Sequence, residues 1–523
     1  MAYSIVSGRA AVAAALSGAL VLGGCATART SAVTVDEVTQ ISKAELAANA
    51  AAVPHISAPL TLDEAVARAL KYNLDQRVDM AQQVLATRQF SVAQRDLLPD
   101  IMAQAGYHWR DEDLTRRSLD SVTGGLSTGH PFISEERSHT NSDLGVTWNL
   151  LDFGVGYFNA KEAGNSIFIA EERRRKAVHT LMSDVQTAYW RAYAAQVLRG
   201  QIVETIKLAE GALADAKQAE AERLRSPLDS LRYERQILEN LRTLEALDQE
   251  LSTAKLDLAR LINAPMSADF TLAPPEASFA DEIGQASPEW LETLAIEGSA
   301  DIREQQYNVR NAQLEARKTL VQMFPRLSFN YGYNYDTDKF LINDTWNEAG
   351  AQLAYSLLNI ANLPIKRQLA QAGVKLADEK RVATLMSVIA QVHIARQQYL
   401  NSRALYNRAD QLADVEQRIM DQMNAREQAQ VQSKLETVSS RTSLIISQLR
   451  RYQALAQVYA AQSQLQATMG NDPGLANADS MSLPQLTDAV EHSFQEWRRS
   501  LTTAAVATRV LGSSDAPKPF SPS

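Results

Sequence analysis

The 523-residue chain contains one cysteine, Cys25, and seven histidines. A lone thiol makes neither an intrachain disulfide nor a Cys-based metal site, so its use depends on its setting. Arg9 is the only charged side chain before it, Ala10 to Leu22 is largely apolar, and Leu22-Gly23-Gly24 stands directly ahead. That is the layout of a secretory signal with small residues at the cut. His55, His108, His130, His139, His179, His393 and His492 show no His-Glu-x-x-His spacing. His130 and His139 could meet in a glycine-bearing stretch, with solvated loop side chains as the plainer reading. Gly124-Gly125 to Gly129 lacks the Lys-Ser/Thr of a phosphate loop. No nucleophile elbow or carboxylate pair stands out, so the sequence reads as no enzyme, with no cofactor and no metal. Two acids occupy matching places: Asp229 in Ser226-Pro227-Leu228-Asp229 and Glu436 in Ser433-Lys434-Leu435-Glu436. Each lies just past a turn, where a carboxylate stabilises the positive end of a helix.

That match is one of several. Trp148-Asn149-Leu150-Leu151-Asp152 corresponds to Tyr355-Ser356-Leu357-Leu358-Asn359, and Leu258-Ala259-Arg260-Leu261-Ile262-Asn263 to Leu465-Gln466-Ala467-Thr468-Met469-Gly470. These three pairs share a spacing of 207 residues, whereas Leu98-Pro99 and Phe324-Pro325 lie 226 apart. The chain is therefore an internal repeat whose first half carries 19 extra residues between Pro99 and Trp148. Residues 110 to 142, charged, then glycine-rich, then charged again, fit an exposed loop that tolerates insertion.

Four segments alternate with period two. Leu327, Phe329, Tyr331, Tyr333 and Tyr335 alternate with Ser328, Asn330, Gly332, Asn334 and Asp336. Ala351, Leu353, Tyr355 and Leu357 alternate with Gln352, Ala354 and Ser356. Leu144, Val146, Trp148 and Leu150 alternate with Gly145, Thr147 and Asn149. More weakly, Ala103, Ala105, Tyr107 and Trp109 alternate with Gln104, Gly106 and His108. Each is long enough to cross a bilayer as a tilted strand. Tyr107, Trp109, Trp148, Phe329, Tyr331, Tyr333, Tyr335 and Tyr355 would form an aromatic, lipid-facing side. The bland reading is a pair of surface hairpins on a soluble protein. Four strands close no barrel, and an open sheet edge leaves N–H and C=O groups unpaired in lipid. Closure requires more than one copy.

Between the strand pairs the sequence is helical. Residues 160 to 225 contain no proline, and glycine only at 164, 200 and 211. Such a run spans on the order of 100 Å. Leu231, Ile237 or Leu238, Leu241, Leu244, Leu247 and Leu251 form a narrow apolar stripe suited to coiled-coil-like packing. Aromatics are only 7 % of residues, which suits long packed helices rather than several compact cores. The net charge of −9 gives no reason to expect a nucleic-acid partner. The expected order is a signal over 1–24 and a tether over 25–59, followed by a first repeat over 60–263. That repeat has strands near 100–109 and 143–151 and a helical hairpin over 160–263. A linker over 264–288 leads to a second repeat over 289–470, with strands near 326–336 and 350–358 and a hairpin over 365–470. A segment over 471–511 presents Leu486, Val490, Phe494, Trp497 and Leu501 on one face and packs beside the linker. A disordered tail covers 512–523.

Strand hairpin, long helical hairpin, and the same again resembles the TolC-type outer-membrane factors of efflux and secretion systems. The resemblance rests on Leu62-Asp63-Glu64-Ala65-Val66 with Asn73, on Leu98-Pro99, and on Trp148-Asn149-Leu150-Leu151-Asp152-Phe153-Gly154, and it covers roughly Leu60 to Gly470. It implies a mainly α fold with a small membrane β-barrel portion. Three copies would build a twelve-stranded β-barrel on an α-helical barrel. It also implies a homotrimeric channel in outer-membrane lipid, docked to a periplasmic adaptor (membrane fusion) protein and an inner-membrane transporter. Asp229 and Glu436 would then ring the closed lumenal entrance as gate residues, as an alternative to helix-end acids. No glycine-bearing adaptor motif stands around Leu224-Arg225-Ser226 or Ala429-Gln430-Val431, so no particular adaptor is implied. Leu22-Gly23-Gly24-Cys25 resembles a bacterial lipobox, which implies cleavage before Cys25, acylation of its thiol and amine, and, with Ala26 next, an outer-membrane destination. An ordinary signal peptide is the alternative. The rival for the whole is a periplasmic coiled-coil adaptor or scaffold lipoprotein without a pore.

Overall fold

The computed structural model describes residues 31–117, 119–126, 132–222, 226–274, 279, 281–284, 286–428, 434–470, 478 and 480–511. Residues 1–24, Cys25, His130 and the 512–523 tail lie outside the described residues. The chain divides into two units, Met1–His55 and Ile56–Ser523. In the first, helix α1 (Val35–Ala52) starts at Thr34, whose hydroxyl accepts from the Glu37 N–H, and none of its residues is buried.

The second unit begins with two helices, α2 (Leu62–Tyr72) and α3 (Leu74–Arg95), hinged at Asn73. Strand β1 (Asp100–Trp109) follows. A small ribbon of β2 (Thr115–Arg116) and β3 (Phe132–Ile133) then leads to β4 (Ser138–Asn149). The returning helical hairpin comprises α4 (Leu150–Ala221), α5 (Pro227–Ser252) and α6 (Ala254–Leu261). The second half repeats the order. Helices α7 (Pro288–Gly298) and α8 (Ala300–Val321) precede strands β5 (Arg326–Asp336) and β6 (Thr345–Ala354). Helices α9 (Leu358–Gln428) and α10 (Lys434–Met469) form the second long hairpin, and α11 (Leu483–Leu511) ends the described chain. No described helix is long and apolar enough to cross a membrane.

Helix α4 has 72 residues, about 108 Å of rod. So long a helix needs apolar contacts along its whole length rather than one core. It has them in four patches. Leu198, Ile202, Leu244 and Ile445 form one, and Ala209, Ala212, Ile237 and Val438 form another nearer the tip. Toward the sheet, Leu181, Val185 and Tyr189 of α4 pack against Val66 and Leu70 of α2, Leu258 of α6, Phe270 and Leu272 of the linker, and Leu486 and Val490 of α11. The Tyr189 hydroxyl is shared between the carbonyls of Leu60 and Ala273, at 2.8 and 2.7 Å. Burial pushes the pKa of this phenol up, so it remains a neutral donor. The fourth patch joins Trp190 to Leu291 of α7, Val392 and Tyr399 of α9, Tyr459 of α10 and Trp497 of α11.

The strands form one antiparallel sheet in the order β1-β4-β5-β6, beside the two-stranded β2-β3 ribbon. Four strand boundaries differ from the alternation-based expectation. Strand β4 starts at Ser138 rather than 143, because Ser138 to Asn141 continue the ladder with Trp109 to Gly106. It stops at Asn149, whose side chain accepts from the Leu151 and Asp152 N–H groups and so starts α4 ten residues before 160. Strand β6 spans Thr345–Ala354 rather than 350–358, and α9 begins at Leu358 rather than 365, with Pro364 inside it. The connection between β1 and β4 carries a charged clamp: Arg137 donates from Nε and Nη2 to the two Asp113 carboxylate oxygens at 2.6 and 2.8 Å.

Candidate functional site

The register of the sheet sorts its side chains into two faces. One row runs Ile101, Val146, Tyr331, Ala349, and the next runs Trp148, Phe329, Ala351. Leu144 pairs with Tyr333, and Tyr107 and Trp109 lie on the same face of β1. This apolar face is not covered: Tyr107 is 68 % exposed, Tyr331 55 % and Leu353 69 %. In water that is an unfavourable surface. In hydrocarbon it is the favoured one. Seven of the eight aromatic residues singled out from the sequence, Tyr107, Trp109, Trp148, Phe329, Tyr331, Tyr333 and Tyr335, lie in strands on this face. Tyr355 lies just beyond β6, in the turn to α9.

The opposite face carries Gln104, His108, Asn141, Asp143, Asn330, Asn334 and Glu348, and also one glycine per strand: Gly106, Gly145, Gly332 and Gly350. At Gly106 an added Cβ would lie 2.6 Å from Asn141 Oδ1, and at Gly350 2.5 Å from Asn330 Oδ1. The polar face is thus the crowded one, which suits a sheet curling toward it. Among the described residues, strands β1 and β6 each have a ladder partner on one side only. The sheet therefore ends in two exposed rows of main-chain donors and acceptors.

Asp229 and Glu436 lie at the far end of the helices, in the first turns of α5 and α10. Both are exposed. Asp229 follows Ser226 and Pro227, and Ser226 makes no side-chain cap, so the carboxylate of Asp229 is the acidic group nearest the orphan N–H groups of α5. The two acids do not share a level. Asn240 of α5 bonds Ser439 of α10 at 3.2 Å, and the helices run the same way. Asn240 is eleven residues beyond Asp229 and Ser439 three beyond Glu436. Asp229 therefore projects about 12 Å farther toward the tip. Beside Glu436, Lys434 pairs with Asp215 of α4, and this hydrogen bond raises the lysine pKa.

The His130–His139 pairing lies outside the described residues. Among the described histidines, His139 meets His108. Their rings stack at 5.1 Å across the β1–β4 pair, with Asp336 Oδ2 3.9 Å from His139 Nε2. This contact joins positions 31 residues apart through strand register, so spacing alone does not reveal it. Among the described residues no group of three or more His, Cys, Asp or Glu side chains is placed to hold a metal. Sequence reasoning also misses Arg175 on α4. Its Nη2 lies 3.4 and 3.1 Å from the carbonyls of Gly298 and Gly470, and its Nη1 pairs with Glu172 at 2.5 Å.

The sequence matches no protein-family model and no curated protein. The fold does have counterparts among solved structures. A membrane protein from Pseudomonas aeruginosa superposes with a TM-score of 0.59 at 17 % identity, over 82 % of this chain and 98 % of that one. The CmeC outer membrane channel of Campylobacter jejuni gives 0.60 at 12 % identity, over 83 % and 89 %. The outer membrane protein VceC of Vibrio cholerae gives 0.55 at 14 % identity, over 78 % and 96 %. The chain shares the fold of outer-membrane channels, mainly helical with a small sheet.

Proposed function

We propose that this chain is the outer-membrane duct of a tripartite efflux or type I secretion system, a member of the TolC-type family. One observation carries the reading: a four-stranded sheet whose aromatic face is bare and whose two edges are unpaired. Neither feature is stable in a lone chain at a membrane, and both are satisfied when copies join β6 of one to β1 of the next. Three copies give a twelve-stranded barrel with the aromatic face in lipid and the polar, glycine-bearing face inward. The helical hairpins extend on the periplasmic side, where an adaptor and an inner-membrane transporter dock. The duct conducts passively. Cys25 is the lipidated residue that anchors the mature N-terminus.

Asp229 and Glu436 form two acidic rings at separate levels near the closed tip. Charge rings in a narrow bore favour cations, and their mutual repulsion assists opening. The test is planar-bilayer recording of the detergent-purified chain. Single channels with cation preference are expected, and Asp229→Ala with Glu436→Ala weakens that preference. Unchanged selectivity removes the gate assignment. A detergent-free, well-behaved monomer without conductance removes the duct. Growth with labelled palmitate tests the anchor: wild type takes up label and Cys25→Ser does not.

A further inference from the structure

A cavity of about 390 Å³ lies where α4, the end of α5 and α10 meet. That volume falls in the range of small-molecule sites. Trp190, Tyr452, Arg191, Glu250 and Gln453 line it, with Ala460 at its side. Tyr189 and Arg191 project about 200° apart on α4. The cavity therefore faces away from the layer of Leu60, Leu272 and Leu486 that Tyr189 supports. In the proposed duct that face is wall rather than outer coat, but the site itself does not depend on the duct.

Trp190 is 2 % exposed, and its indole Nε1 is buried without a hydrogen-bond partner among the described residues. The ring is fixed by a stack on Tyr459 at 5.5 Å and an edge contact with Tyr193 at 6.3 Å. Nε1 is closed off from the cavity as it is from solvent, so Trp190 contributes aromatic surface there and no donor. The charges at the rim differ in their pairing. Arg191 Nη1 lies 3.3 Å from Asp257 Oδ2, which offsets it. Glu250 accepts from the neutral amide of Gln453 at 2.9 Å, which leaves its charge in place. Tyr452, held edge-on to Tyr193 at 5.7 Å, adds an aromatic wall. Aromatic surface and one carboxylate without an ion pair select a cationic aromatic guest.

We propose that this cavity binds a planar aromatic cation. The ring lies against Tyr452, and the positive charge sits toward Glu250. The probe is berberine, a planar quaternary cation, titrated by fluorescence into the detergent-purified full-length chain. Saturable binding of about one probe per chain is expected. Glu250→Gln, at an exposed position, weakens it about fivefold. Ala460→Trp, which fills the space from a half-buried site, weakens it by more than about tenfold. Far-ultraviolet ellipticity shows that each variant keeps its helices. Wild-type binding no greater than that of empty micelles overturns the site. So does an Ala460→Trp protein that binds as wild type does. Equal affinity for the anionic dye anilinonaphthalene sulfonate overturns the charge assignment. None of these readouts uses conductance, so failure here and failure of the duct are distinguishable.

Discussion

The bend between α2 and α3 and the bend between α7 and α8 stand at equivalent places, 226 residues apart at Asn73 and Ser299. Each abuts the end of a long hairpin, at Leu261 to Asn263 in the first half and at Met469 to Gly470 in the second. Both hairpin ends place a residue in the left-handed region, Asn263 at φ 54° and Gly470 at φ 63°. The chemistry that holds them differs. In the first half the buried Asn73 side chain accepts from the Asp75 and Gln76 N–H groups and donates to the Leu261 carbonyl at 3.0 Å. In the second half there is no such side chain. Gly298 and Gly470 lie backbone against backbone, and Arg175 reaches across from α4 to both carbonyls. One corner is thus held by a local cap and the other by close approach plus a distant cation. A repeated backbone shape constrains its sequence only where nothing else supplies the missing hydrogen bonds.

Exchanging residues between the corners breaks this symmetry. The largest effect is expected from Gly470→Asn. Asparagine tolerates the left-handed conformation, as Asn263 shows. A Cβ at 470, however, would lie 2.0 Å from the Gly298 carbonyl oxygen and 2.6 Å from the Ser299 nitrogen. Those are backbone atoms, so the hinge itself must move, at about 4 kcal/mol. A steep fall in the thermal midpoint of the purified chain checks this, and a midpoint near wild type refutes the close approach. Next comes Arg175→Met. It leaves Glu172, whose side chain is 8 % exposed, with Arg303 Nη1 at 3.8 Å, and deprives two carbonyls of a donor. The expected loss is about 3 kcal/mol, because a buried carboxylate without its close partner is costly. The same melting experiment reads it. Arg175→Lys should recover only part, since a single ammonium lacks the guanidinium's forked reach.

Much of this was legible beforehand and some was not, for identifiable reasons. Alternation in Leu327 to Asp336 marks β5 because one face is aromatic and the other small and polar. The start of β4 gives no such signal. Ser138, His139, Thr140, Asn141 and Ser142 are polar toward both faces, so only the ladder with β1 reveals that they are strand. Thr345 and Asn347 hide the start of β6 in the same way, opposite Tyr335 and Tyr333. The equivalence of Asn263 and Gly470 follows from spacing, but their shared left-handed conformation and the contact of Gly470 with Gly298 do not. The acidic pair shows the same limit. Asp229 and Glu436 align in sequence, yet the Asn240–Ser439 contact sets them at different heights, because helix offset is fixed by packing between hairpins rather than by position within each.

The smaller effects belong to the first corner, and they separate cap from backbone. Asn73→Ala removes acceptors for two N–H groups at the start of α3 and the donor to Leu261. A lost cap and one unsatisfied carbonyl cost about 2 kcal/mol together. Hydrogen exchange should show the loss first at Asp75 and Gln76, ahead of any change at the second corner. Exchange rising equally at both corners would mean that the hinges act as one unit. Asn263→Gly is the smallest change of the set, about 1 kcal/mol, because glycine adopts the left-handed conformation without strain, so only chain entropy and the asparagine side chain's own contacts are lost. The paired substitutions therefore run opposite ways: glycine is accepted where the chain has asparagine, and asparagine is rejected where it has glycine. If Asn263→Gly instead matched Gly470→Asn in its cost, the asparagine side chain would be holding the first corner, and the contrast between a capped hinge and a close-packed one would have to be redrawn.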